Sequence, residues 1–212
     1  MIRHSFAFKI EEGRVGTVLT EIGRAFQGIK KAAIKNEADN FSLWRCDTFF
    51  FGYYETNDDK KDPVTTELMK PVQQIIDEEA EWTSDFSKDM REMYQDYGIV
   101  RSDKSMIRHR VFMTHLINSE TEEYKRRHDA LVEARTEVDP GPDSNFTIWN
   151  YGDYIFGYDE IDTSMEHEMT GEEKRDTIAW ETKMLEIMEW ITDDVDWITD
   201  MHHSHVLKVF SI

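Results

Sequence analysis

Apolar and polar positions alternate along residues 2–10 in the manner of a half-buried strand. From Val15 the period changes, and Val15, Leu19, Ile22, Phe26, Ile29 and Ala33 recur at helical spacing. Residues 40–46 and 48–55 read as two aromatic-rich strands joined by a tight turn. A polar loop over 57–63 then leads into a long helix expected over 64–94, with Gly98-Ile99-Val100 as a short last strand. The second half has the same order: a strand at 107–117, a helix at 119–138 and a Pro-Gly-Pro turn at 140–142. Strands at 144–151 and 153–161 follow, then an acidic loop, a helix over 172–201 and a closing strand at 206–210.

The likeness of the halves extends to residues. At an offset of 105, Ile2-Arg3-His4 recurs as Ile107-Arg108-His109, and Asn40-Phe41-Ser42-Leu43-Trp44 as Asn145-Phe146-Thr147-Ile148-Trp149. Phe51-Gly52-Tyr53 likewise recurs as Phe156-Gly157-Tyr158, and Glu55 as Glu160. Glu81-Trp82 matches Glu189-Trp190 after a three-residue insertion. The chain therefore reads as one unit written twice, over 1–101 and 106–212. Each β-α-β-β-α unit predicts a four-stranded antiparallel sheet with helices on one face, an α+β arrangement. Two such sheets in one chain can bury their free faces together, so the expected architecture is a tandem ferredoxin-like repeat fused as a dimeric α+β barrel.

One stretch breaks the likeness. Ser119 and Glu122 have the form of a capping box opening the second-half helix. Tyr124 and His128 are four apart, on one face that continues through Leu131, Arg135 and Val138. At the same offset of 105, Leu19 and Gly23 stand in their places in the first half. A role in packing alone predicts no such asymmetry. One working site per chain is expected, with a phenol and an imidazole as an acid/base pair and the first half as scaffold. Against this stands a plain core histidine.

Charge narrows the ligand. Of the 212 residues, 25 are Lys or Arg and 44 Asp or Glu, a formal charge of −19. That excludes nucleic acid as an expected partner, disfavours anionic membranes and substrates, and leaves a neutral small molecule. Cys46 is the only cysteine, so no intrachain disulfide is possible, and its neighbours place it in a buried strand. No apolar run approaches the roughly 18 residues of a membrane span, and no signal peptide is evident, so a cytoplasmic protein is expected.

The second copy resembles the L-rhamnose mutarotase family. Ile107-Arg108, Tyr124-Lys125-Arg126-Arg127-His128, Asn145-Phe146-Thr147-Ile148-Trp149 and Val209-Phe210 follow the order and spacing of its motifs. The resemblance implies a dimeric α+β barrel, His128 as catalytic acid/base and Tyr124 in contact with the sugar. Phe146 departs from the family's tyrosine and removes one hydroxyl. The family's tandem tryptophans are reduced to Trp190 or Trp180, whose register is open.

Mutarotation interconverts α and β anomers through the open-chain aldehyde and needs neither cofactor nor metal. An imidazole with an ordinary pKa near 6.5 passes protons both ways at neutral pH, a contribution of about 10²–10⁴-fold. Trp149, Tyr151, Tyr154 and Trp190 are candidate walls for the apolar face of a deoxy sugar, against a core role for each. Arg108 has Arg3 as its twin and reads as a structural salt bridge, while Arg126 and Arg127 read as helix anchors. His202, His203 and His205 fit no standard zinc spacing and read as a solvated helix end. The alternatives are a non-catalytic sugar-binding or regulatory relative, or, by fold analogy alone, a cofactor-free oxygenase. An internal pseudo-dimer is expected, and further oligomerisation is left open.

Overall fold

Two tight turns, at Asp47-Thr48 and Gly152-Asp153, reverse the chain between aromatic-rich strands in each half. Asp47 and Gly152 both hold positive φ, 48° and 57°, the left-handed conformation that short hairpin loops require. The structure is a computed structural model that describes residues 1–96, 99–135, 141–192 and 206–212. The fold is mixed α+β, with two antiparallel sheets. The chain divides into Met1–Met90 with Val206–Ile212, and Arg91–His205.

The first unit holds β1 (Ile2–Ile10), α1 (Val15–Lys35), β2 (Asp39–Cys46) and β3 (Phe49–Thr56). The helix expected over 64–94 is instead α2 (Thr65–Met69), a 3₁₀ turn at Lys70–Val72 with Pro71 inside it, and α3 (Gln73–Glu79). Ala80 then turns extended and opens β4 (Ala80–Thr83). Pro71 offers no amide hydrogen to a continuous helix, and β4 completes an edge of the sheet by pairing with β1. β5 (Arg91–Gln95) belongs to the second unit, so the unit boundary falls ahead of the 101–105 junction read from the sequence.

The second unit continues with β6 (Ile107–Leu116), α4 (Thr121–Ala134), β7 (Asp143–Tyr151), β8 (Tyr154–Asp162), α5 (Gly171–Met184) and β9 (Met188–Trp190). The helix expected over 172–201 thus ends at Met184, and 193–201 lies outside the described residues, as does Gly98. β10 (Leu207–Ser211) pairs with β2 in the first unit. Each sheet has five strands where four were expected, in the orders β10-β2-β3-β1-β4 and β5-β7-β8-β6-β9.

The Ser119 cap is corrected. Asn118 and Ser119 have φ of 53° and 58°, so Ser119 lacks the extended backbone of an N-cap, and α4 begins after Glu120 without a side-chain cap. Its charged opening, Glu122 and Glu123, complements the helix dipole. The reciprocal capping box lies at α5, where Glu173 N–H donates to Thr170 Oγ1 at 3.2 Å and Thr170 N–H to Glu173 Oε2 at 2.7 Å.

The sheets also revise the repeat. Gly52 pairs with Phe6 and Gly157 with Phe112. The glycines are 105 apart and the phenylalanines 106, so β1 and β6 match one residue out of step with the Ile-Arg-His repeat. His4 corresponds to Arg110, not to His109. The same step sets Val18 and Ile22 of α1 against Tyr124 and His128 of α4, and all four are buried. Gly23, the partner read from the sequence, is exposed. The Glu-Trp match fails too: Phe8 pairs with Thr83, but its counterpart Thr114 pairs with Trp190.

Candidate functional site

In the second unit, Phe112, Leu116, Ile148 and Ile155 project from the sheet into one core with Tyr124 of α4 and Met184 of α5. Successive strand residues face opposite ways, which puts Arg110, Gly157 and Asp159 on this helix-covered face as well. Trp149 follows Ile148 and faces the other side. It is buried there, and the structure does not bring it to Tyr124 or His128. Trp190 is on the helix-covered face, with its ring 5.7 Å from Phe112 and its indole N–H donating to Glu181 Oε1 at 2.7 Å. Tyr151 and Tyr154 end and begin the strands at the β7–β8 turn, where Tyr154 meets His115.

Tyr124 and His128 lie face to face, as their four-residue spacing on α4 predicts, with ring centroids 4.4 Å apart and planes at 25°. Trp180 of α5 stands edge-on to the imidazole at 5.1 Å, and Tyr94 of β5 is tilted against it at 5.5 Å. The imidazole sits inside three aromatic rings. Sequence reading missed Tyr94 altogether, since 64–94 looked helical. Met93 and Tyr94 are both buried and Gln95 is exposed, at a register shift in β5, so strand alternation gave no signal there.

Nδ1 of His128 lies 3.0 Å from the carbonyl oxygen of Tyr124. A carbonyl only accepts, so Nδ1 carries the hydrogen and the lone pair of the neutral ring is on Nε2. The hydrogen bond that His128 makes among the described residues is the one through Nδ1. Burial brings the pKa of His128 down to about 4, against weaker upward pulls from the Tyr124 carbonyl and Asp129. At neutral pH the ring is therefore an uncharged base. Burial also raises the Tyr124 phenol, helped by the charge of Glu181 and opposed by Arg110. That phenol keeps its proton throughout and can act only as a hydrogen-bond donor or acceptor.

Other polar groups lie on or beside this face of the sheet. Tyr94, lifted to about 12 chiefly by burial, touches Phe146 at 5.3 Å. Phe146 thus brings no hydroxyl, and the neighbouring strand supplies one. Asp96 pairs with Arg135, whose guanidinium lies 5.7 Å over the Tyr94 ring. Asp159 is 0% exposed, and its carboxyl is in hydrogen-bonding range of the Asp143 side chain. Desolvation holds its pKa well above the usual carboxylate range, with the charge of Asp143 pushing the same way and Arg110 opposing. The position was legible in principle, because Ile155, Gly157 and Asp159 share a face by alternation.

The arginines of the pentad behave as anchors. Arg126 donates twice to Glu123, at 2.6 and 2.7 Å, on the surface. Arg127 donates to Glu123 at 2.7 Å, to Glu186 at 3.1 Å and to the Lys183 carbonyl, tying α4 to the end of α5. Those two arginines hold the Glu123 carboxyl down to about 2. Arg108 pairs with Glu166 at the surface. Cys46 is buried, as its strand setting predicts.

Two clefts, of about 490 and 470 Å³, lie in the first unit, and neither touches Tyr124, His128, Trp149 or Trp190. No group of three or more potential metal ligands occurs among the described residues, and no helix there is long and apolar enough to cross a membrane. His202, His203 and His205 fall outside the described residues. No protein-family model, no curated protein and no solved structure matches the chain.

Proposed function

We propose that this chain is a cytoplasmic sugar isomerase that interconverts the α and β anomers of L-rhamnose or a similar neutral deoxy sugar. One observation carries the reading: a neutral imidazole whose Nδ1–H is fixed by the Tyr124 carbonyl, leaving the lone pair of Nε2 unclaimed inside an aromatic box. A base of this kind takes the proton of the anomeric hydroxyl as the ring C–O bond opens, and returns it after rotation about C1–C2. Tyr124 and the flat faces of Tyr94 and Trp180 suit the apolar side of a deoxy sugar. The strongly acidic composition favours an uncharged substrate. The Tyr-x-Arg-Arg-His likeness to the L-rhamnose mutarotases points the same way. The matching strand orders support two ferredoxin-like repeats, and the fused dimeric α+β barrel is proposed from the family likeness. Saturation-transfer NMR on rhamnose and fucose tests the activity: the protein should speed anomer exchange, and His128→Gln should abolish the acceleration.

A second reading is favoured by the closure of the site. Tyr124 is 2% exposed and His128 5%, which suits a non-catalytic relative in which the imidazole is part of the core. Sugar binding without faster exchange, unaltered by His128→Gln, would decide for it.

A further inference from the structure

The crevice between α1 and β10 in the first unit is open, while its counterpart in the second unit is bridged by an ion pair. We propose that the open crevice is a second ligand site, for a monocarboxylate with a medium-length alkyl chain, anchored by Arg45 and separate from the isomerase reading above.

The two crevices correspond strand for strand. β10 pairs with β2 through Phe210–Leu43 and Leu207–Arg45. β5 pairs with β7 through Tyr94–Ile148 and Arg91–Asn150, at the offset of 105 that relates β2 to β7, and both pairings carry a register shift at the same step. Phe210 thus stands in the place of Tyr94, and Leu207 in that of Arg91. The helices match at an offset of 106, so Gly16, Leu19 and Gly23 of α1 take the places of Glu122, Lys125 and Asp129 of α4. In the second unit Arg91 reaches from β5 to α4, donating to Glu122 at 2.5 and 3.0 Å, and Lys125 pairs with Asp129 at 2.6 Å. In the first unit neither pair can form. Leucine stands where the two bases are, and glycine where the two acids are.

What remains is a cleft of about 490 Å³, within the roughly 300–1,000 Å³ of small-molecule sites. Leu19, Ile22 and Phe26 line it from α1, and Val209 and Phe210 from β10. Phe26 meets Phe210 at one end, with ring centroids 5.7 Å apart. Arg45 and Leu207 stand at the other. Leu19 to Phe26 is two turns of helix, about 10 Å, which suits an alkyl chain of medium length. Gly23 also lines the cleft. A glycine inside a helix is unfavourable, and a Cβ there would meet nothing within 4 Å, so packing does not require it. Its missing side chain leaves the wall low where a ligand would lie.

Arg45 decides the head group. In a chain with 44 acidic against 25 basic residues, it makes no ion pair among the described residues. Its Nη1 donates to the Asp47 carbonyl at 2.8 Å, and the other guanidinium donors suit a carboxylate, which takes two N–H groups side by side. On its far side Arg45 borders the second cleft, where Glu12 and Asp47 lie and Lys9 holds Glu81 at 2.6 Å. Those acids repel a second negative charge, so a monoanion on an apolar body is favoured over a dicarboxylate or a phosphate.

Methyl-resolved NMR of the full chain, titrated with decanoate below its micelle-forming concentration, tests the assignment. Decanoate should shift the methyls of Leu19, Ile22, Leu207 and Val209 together and saturably. 1-Decanol, which lacks the charge, should bind about tenfold or more weakly. Arg45→Gln should weaken decanoate by a similar factor and leave decanol unchanged. Gly23→Leu, at an exposed helix position, should block both. Shifts that are absent, or centred away from the cleft, overturn the site. Decanol binding to the unmodified chain as tightly as decanoate overturns the role of Arg45 and the ligand class with it, whether or not either variant folds.

Discussion

Phe112 covers Gly157 so closely that a Cβ on the glycine would lie 2.1 Å from Phe112 Cε1. The same distance separates a Cβ on Gly52 from Phe6 Cε1. An aromatic ring laid across a strand glycine recovers the packing that a missing side chain forfeits. Gly157→Ala should push Phe112 off β8 and destabilise the second unit by about 1–3 kcal/mol. Urea unfolding read through Trp190, which touches Phe112, would measure it. An unchanged midpoint would show that the ring moves aside freely.

His128 makes the fold sensitive to acid. Its folded pKa, about 4, lies below the ordinary 6.5, so the unfolded chain binds the proton first. The penalty is absent above the unfolded value and grows as pH falls from 6.5 towards 4. Between pH 7 and pH 5 it amounts to about 2 kcal/mol. His128→Leu should lose less stability than the wild type over that interval in denaturant titrations.

Asp159 has the opposite sign. Its folded pKa is raised, so the unfolded chain gives up the proton first as pH climbs above the usual carboxylate range. Stability should decline from there towards neutrality, at up to about 1.4 kcal/mol per pH unit. Asp159→Asn should lack this decline. Subtracting its unfolding free energy from that of the wild type at each pH isolates the slope, and parallel curves would refute the buried acid.

Arg127 holds two helices together through one half-buried guanidinium. Arg127→Ala strands the Lys183 carbonyl and leaves Glu123 to Arg126 alone, and should cost about 1–3 kcal/mol. The loss should appear as faster hydrogen exchange at the end of α5, where Lys183 and Glu186 lie.

Trp180, not Trp149, is the indole beside His128. Trp180→Phe should shift the imidazole proton resonances through the altered ring current, and Trp149→Phe should leave them in place. Equal shifts from both would contradict the face assignment.

The long strands β1–β3 and β6–β8 and the helix α1 were legible because alternation and helical spacing are strong signals over eight or more residues. The short strands β4, β5 and β9 instead fell inside stretches read as helix. The stretch over 64–94 was not legible, since Leu68, Val72, Ile76 and Ala80 sustain a helical period across a Pro71 turn and into a strand. The match of Ile2-Arg3-His4 with Ile107-Arg108-His109 misled in another way. Identity of residues favoured one register, while the pairing of Phe112 with Gly157 chose the next, and a single-residue slip turns every side chain over. Tyr124 and His128 could be found because the helix kept them in step. Asp159 hid in plain alternation among aromatics, and Tyr94 and Trp180 reach the imidazole only through tertiary packing.

The pairing of β10 with β2 joins residues more than 160 positions apart. Phe210 packs on Phe26 and Phe41 in the first unit's core, so that core cannot close while Leu207–Ser211 are still inside the ribosome. Until β10 is available the first unit has an open sheet edge at β2, whereas the strands of the second unit all lie within one stretch of chain.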